Sequence, residues 1–101
     1  MRNLLFKDAF TVSRILKKMH IRPDIQDGIT QEQLGADLVF KFVENIGDAE
    51  EEVTAFIADL KGMKPSELAG MDFEETAKLF EEFKEIKGLK SFFSQVGKLM
   101  K

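Results

Sequence analysis

Residues 58–75, ADLKGMKPSELAGMDFEE, carry a helix stop, a proline start, a second stop and an acidic cap within eighteen residues. Punctuation this dense belongs either to a working loop or to a tight corner between packed helices. The segment has no glycine cluster followed by Lys-Ser/Thr, so it is not a phosphate-cradling loop. It is a helical corner, in which a short helix turns the chain between two longer ones. Met63, Leu68 and Met71 are its expected apolar pegs.

Helical periodicity runs through the rest of the chain, and strand signals are weak. A first helix is predicted over Lys7–His20. Ala9, Val12, Leu16 and Met19 form its stripe, and Phe6, Phe10 and Ile15 widen it. Arg22-Pro23 stops it, because a residue before proline avoids helical angles; PDIQDG follows as a loop. Thr30 and Gln33 have the spacing of a capping box and open a second helix that reaches about Asn45. Leu34, Leu38, Val39, Phe40, Phe42, Val43 and Ile46 cover most of its circumference, which predicts a central helix buried on both the Phe40 and Phe42 sides. Gly47 closes it.

Asp48 with Glu51 reads as the cap of a third helix, with Ala49, Val53, Phe56, Ile57 and Leu60 inward and Gly62 at its end. Pro65 starts the short helix PSELA, ended by Gly70. Asp72 with Glu75 caps a helix with Phe73, Ala77, Phe80, Phe83 and Ile86 inward, ending at Gly88. A last helix puts Leu89, Phe92, Phe93, Val96, Leu99 and Met100 on one face, weakened by Gly97. The expected fold is all-α: one compact domain over residues 1–101, a bundle of five main helices plus one short connecting helix.

Absences narrow the chemistry. There is no Cys, hence no disulfide, Cys-ligated zinc or Cys nucleophile, and His20 is the only histidine. All ten aromatics are Phe, which suits a dry core or an apolar contact surface rather than sugar binding or base stacking. No apolar run reaches membrane-spanning length, and the opening MRNLLFKDAF is not expected to act as a secretory signal. DIQDGITQEQL resembles a calcium loop only superficially: with Gly28 at the sixth position, Pro23, Ile25 and Leu34 fall where ligands are required. ITQEQLGADL resembles the opening of a helix-turn-helix, but the helix continues and the next one opens DAEEEV, whose glutamates would repel phosphate. The other carboxylates lie opposite the apolar stripes with no Glu-x-x-His, and no serine has a local base. His20, at a helix end beside Lys17 and Lys18, reads as a partner of the helix dipole. No catalytic residue, metal site or cofactor is expected.

Charge is segregated. The net charge of −3 divides into +5 over residues 1–22, −12 over 23–86 and +4 over 87–101. Basic ends around an acidic middle can pair within the fold or between copies.

The order of FKDAFTVSRILKKM, LGADLVFKFVENI, AEEEVTAFIADLKGMKPSELAGMDFEETAKLFEEF and the Phe-rich GLKSFFSQVGKLM resembles the small tail assembly chaperones of long-tailed bacteriophages of Gram-positive bacteria. The likeness covers most of the chain and lies in helix order and hydrophobic spacing. It implies a chaperone that binds the tape measure protein, the helical rod that sets tail length, and keeps it soluble until tail tube subunits polymerise. It implies a homo-oligomer, a ring or a spiral, with the tail tube protein as a further candidate partner. Neither nucleic acid nor membrane is a partner in that role, and the protein acts in the host bacterial cytoplasm and is absent from the mature virion. The resemblance carries no catalytic residues. Rival readings are a small helical adaptor for one folded partner and a nucleic-acid-binding regulator using the basic ends. The partner-binding residues expected are Phe92, Phe93, Val96, Leu99 and Met100, because two adjacent phenylalanines about 100° apart on a helix can face inward and outward. The alternative is that this whole face docks on the core.

Overall fold

A computed structural model describes residues 1–23 and 26–100. Asp24 and Ile25, inside the predicted PDIQDG loop, and Lys101 lie outside the described residues. The chain forms α1 (Phe6–Lys18), α2 (Gln31–Glu44), a 3-10 turn (Ile46–Ala49), α3 (Glu50–Lys61), α4 (Pro65–Ala69), α5 (Phe73–Lys84) and α6 (Leu89–Leu99). Among the described residues there is no strand, and the fold is an all-α bundle of five main helices and one short one.

Local chemistry sets most of the ends. Thr30 Oγ1 accepts the Gln33 N–H at 3.1 Å, and Gln33 Oε1 accepts the Thr30 N–H at 2.9 Å, closing the predicted capping box. Asp72 Oδ1 accepts the Glu75 N–H at 3.1 Å at the head of α5. The end of α3 folds back at Gly62, where the Met63 N–H donates to the Ala58 carbonyl at 2.9 Å. The Asp48–Glu51 cap does not form. Asp48 is drawn into the 3-10 turn, its N–H donating to the Asn45 carbonyl at 3.0 Å, so α3 starts at Glu50 behind Ala49, which plugs the core. The end of α1 also differs from expectation. His20 adopts a left-handed φ of 59°, and the Ile21 N–H then donates to the Leu16 carbonyl at 2.9 Å. A histidine takes the place usually given to glycine, and the helix stops before Pro23 acts.

The core is organised by the crossing of α2 and α6. A Cβ on Gly35 would lie 1.9 Å from the Lys90 backbone carbonyl oxygen, so the two backbones touch where no side chain intervenes. Near the other end of α6, a Cβ on Gly97 would meet Leu38 Cδ1 at 2.7 Å. Gly97 is therefore a packing residue as well as the weak helix former its propensity implies. The crossing brings Phe42 of α2 and Phe93 of α6 edge to face at 5.5 Å, and Phe83 of α5 and Phe56 of α3 join them at 5.6 and 6.4 Å from Phe42. Around this cluster lie Val12, Ile15 and Leu16 of α1, Leu34 and Leu38 of α2, and Val53, Ile57 and Leu60 of α3.

Four expected core phenylalanines are not core. Phe6, Phe10, Phe40 and Phe73 are exposed. Each belongs to a helix whose inward positions are already filled by aliphatic residues or another Phe, so it projects outward.

Two expectations follow. Phe42→Ala should cost about 3–5 kcal/mol in urea unfolding, as for a fully packed core Phe. Phe40→Ala should stay within about 0.5 kcal/mol of the wild type. The second concerns the glycines. Propensity alone predicts that Gly→Ala within a helix stabilises by about 1 kcal/mol. Here Gly35→Ala should destabilise strongly, since backbone must move, and Gly97→Ala more mildly, since a leucine methyl can shift. A rise in melting temperature for Gly35→Ala would remove the close crossing.

Candidate partner-binding surface

Of the five residues singled out on the last helix, the fold divides the set. Phe93 and Val96 are buried in the core and cannot meet a partner. Phe92 is half-buried with its ring 5.8 Å from that of Phe93, so the adjacent pair splits inward and outward as their angle requires. Leu99 is 73% exposed, and Met100 is half-buried at the mouth of a cleft of about 570 Å³ shared with Lys17, His20, Ile21, Arg22 and Pro23. Seven residues nearly complete two turns, so Phe92 and Leu99 lie along one edge of α6.

The outer side of α2, expected to be buried, is a surface. Phe40 is 64% exposed, and Ala36, Val39 and Val43 are half-buried beside it. Their i, i+3, i+4, i+7 spacing is that of an apolar helical stripe. Asp37 and the exposed Glu44 border it, with Asp37 paired to Lys41 at 3.0 Å. The signal was present in the sequence as a helix apolar nearly all round. Periodicity does not distinguish a second buried face from an exposed one.

Charges are partly paired inside the chain. Arg2 binds Asp8 through two hydrogen bonds, at 2.7 and 2.9 Å, and also binds Asp59. The Leu5 N–H donates to Asp8 at 2.7 Å. Asp8 is buried, and burial alone would raise its pKa. The Arg2 hydrogen bonds and the Leu5 N–H outweigh it, holding the carboxyl below its ordinary value. The Arg2 hydrogen bond likewise lowers Asp59, against a smaller opposing effect of burial. Lys18 pairs with Glu52, and Lys61 with Glu82 at 3.0 Å. Acidic α3 is thus tied to the basic N-terminal segment within one copy. Nothing in the sequence distinguished Asp8 from a solvated acid, because its partner Arg2 precedes the first helix.

Among the described residues, no three His, Asp or Glu side chains converge to hold a metal ion, and no helix is long and apolar enough to cross a membrane. Compared with family models, curated proteins and solved structures, the chain shows no match.

The sign of the acid response follows from Arg2. Carboxyls held below their unfolded pKa stabilise the fold above that value, near pH 4, and the contribution is lost as pH falls through the folded pKa. Arg2→Met removes the groups that lower Asp8 and Asp59. This variant should therefore start less stable at pH 6, yet lose less on going from pH 5 to pH 3 than the wild type. Urea unfolding at the three pH values measures it; equal losses would place Asp8 outside the acid response.

Proposed function

We propose that the protein is a tail assembly chaperone of a long-tailed bacteriophage of Gram-positive bacteria. It binds the tape measure protein, keeps it soluble during tail assembly, and acts as a self-associated oligomer in the host cytoplasm. The observation that carries this reading is the exposed apolar stripe on α2 around Phe40, accompanied by the Phe92–Leu99 edge of α6. An amphipathic helix is recognised by apolar anchors at i, i+3, i+4 and i+7 against a complementary apolar surface. The tape measure rod is a helical client of that kind. Phe40 with the half-buried Ala36, Val39 and Val43 makes one apolar patch on α2, and contiguous patches of this kind mark interaction surfaces. The order of helices that resembles the phage chaperones supplies the identity of the client.

Co-expression with a tape measure fragment tests the reading. The wild type should keep the fragment in the soluble fraction. Phe40→Asp and Leu99→Asp should each lose most of that effect with unchanged circular dichroism, because both side chains lie outside the core. An adaptor for one folded partner would leave the fragment insoluble with the wild type as well, and that outcome would end the chaperone reading.

A further inference from the structure

The outward ridge of α1 is unlike its buried side. Phe6, Phe10, Arg14 and Lys17 recur at i, i+4, i+8 and i+11, and all four are exposed. Phe6, 77% exposed, stacks edge to face on Phe10 at 5.0 Å, so the N-terminal half of the ridge is an aromatic knob. Its C-terminal half is basic. Among the described residues neither Arg14 nor Lys17 holds an ion pair, whereas Arg2, Lys7 and Lys18 are spent on Asp8, Asp59 and Glu52.

Helix α5 carries the counterpart. Phe73 is 86% exposed at its first position, Ala77 follows at i+4 and Glu81 at i+8, with exposed Lys78 and Lys84 one turn to either side of Glu81 and exposed Glu74 and Glu85 beside the row. Here too the aromatic residue is N-terminal and the charge C-terminal, but the charge is negative. Among the described residues Glu81 is held only by Lys84 of its own helix, at 3.1 Å, an exposed pair of little worth.

We infer that the α1 ridge of one copy docks in parallel on the α5 ridge of a second copy. Both ridges are i±4 rows of the same spacing, so one row can be laid along the other residue for residue. Eight residues span about 12 Å on either helix, so one register matches both ends. Phe6 meets Phe73, Phe10 lies over the small Ala77, and Arg14 meets Glu81. The inference gives surfaces to the self-association in the proposed function, but its geometry does not involve the client. The contact is heterologous: each copy offers α1 to one neighbour and α5 to another, so assembly continues as an open spiral or closes as a ring. A single short helix pair buries less than the roughly 1,200 Å² of a stable interface, so association is weak and concentration-dependent.

Sedimentation velocity on the full chain, without client, tests it. At about 20 mM salt the wild type should shift to larger species as concentration rises, and at about 0.5 M the shift should shrink as the charges are screened. Phe10→Asp and Phe73→Asp should each remain monomeric. An equal mixture of the two should form dimers and nothing larger, because only one junction is then intact. Arg14→Glu should weaken association about tenfold or more, the effect of losing one charge pair and gaining a repulsion, and Arg14→Glu/Glu81→Arg should recover it. All sites are exposed, and circular dichroism should be unchanged in each variant. A wild type monomeric to about 1 mM overturns the inference. So does a Phe73→Asp variant that assembles like the wild type, a mixture that stays monomeric, or a charge swap without recovery. Client solubility is a separate readout, so failure here leaves the client-binding reading standing.

Discussion

The contact of Gly35 with the Lys90 carbonyl fixes the rest of the molecule. Two helices whose backbones touch have little freedom in spacing or rotation, since any roll would drive a neighbouring side chain into the other helix. That crossing sets Phe93 against Phe42 and Gly97 against Leu38. Phe42 then becomes the hub on which Phe56 of α3 and Phe83 of α5 converge. The last helix is consequently part of the foundation. Its buried side supplies Leu89, Phe93 and Val96 to the core, and the same rotation turns Leu99 outward.

This arrangement sorts the ten phenylalanines by role. Phe42, Phe56, Phe83 and Phe93 form the central cluster, and Phe80 and Phe92 lie half-buried against it. Phe6, Phe10, Phe40 and Phe73 are left outside. A domain of this size does not need four exposed aromatic rings to fold. Under the proposed function, their positions on three helices are where a client and neighbouring copies would make contact. Charge divides in a parallel way. The Arg2–Asp8–Asp59 network and the Lys18–Glu52 pair fasten the N-terminal segment and α1 to α3, while Arg14, Lys17, Glu74 and Glu85 have no ion-pair partner among the described residues.

Helix number, order and most boundaries were legible because they rest on local chemistry: the Thr30–Gln33 box, Asp72, Pro65 and the stop at Gly62 each act within a few residues. Two boundary failures, at Asp48 and His20, are choices of local turn, and the other failures arise because tertiary contacts do not appear in a local pattern. Gly97 reads as a weak helix former until Leu38 is placed against it. Asp8 reads as a surface acid until Arg2 folds back over it. Phe40 and Phe73 read as core because an apolar residue next to an apolar stripe has the same spacing whether or not a neighbour covers it. Of the face expected to bind a partner, Leu99 is exposed and Phe92 and Met100 are half-buried, while Phe93 and Val96 are taken up by the crossing.

The division between rigid and peripheral helices bears on how a weak binder can hold a long client. The proposed client surface lies on α2 and α6, the pair locked by backbone contact, so its apolar anchors keep fixed spacing. The proposed assembly ridges lie on α1 and α5, and their exposed residues are not those of the client surface. Under both proposals, the two kinds of contact draw on different residues of one copy. A single stripe such as Ala36–Val43 covers about two turns of a client helix and binds weakly. Once neighbouring copies are linked, each further contact with the same rod is intramolecular, and effective concentration replaces bulk concentration in its binding. Weak junctions then have a use. They let an array form along a rod at high local concentration and come apart when the rod is taken over by a tighter partner, which a few-nanomolar oligomer would resist.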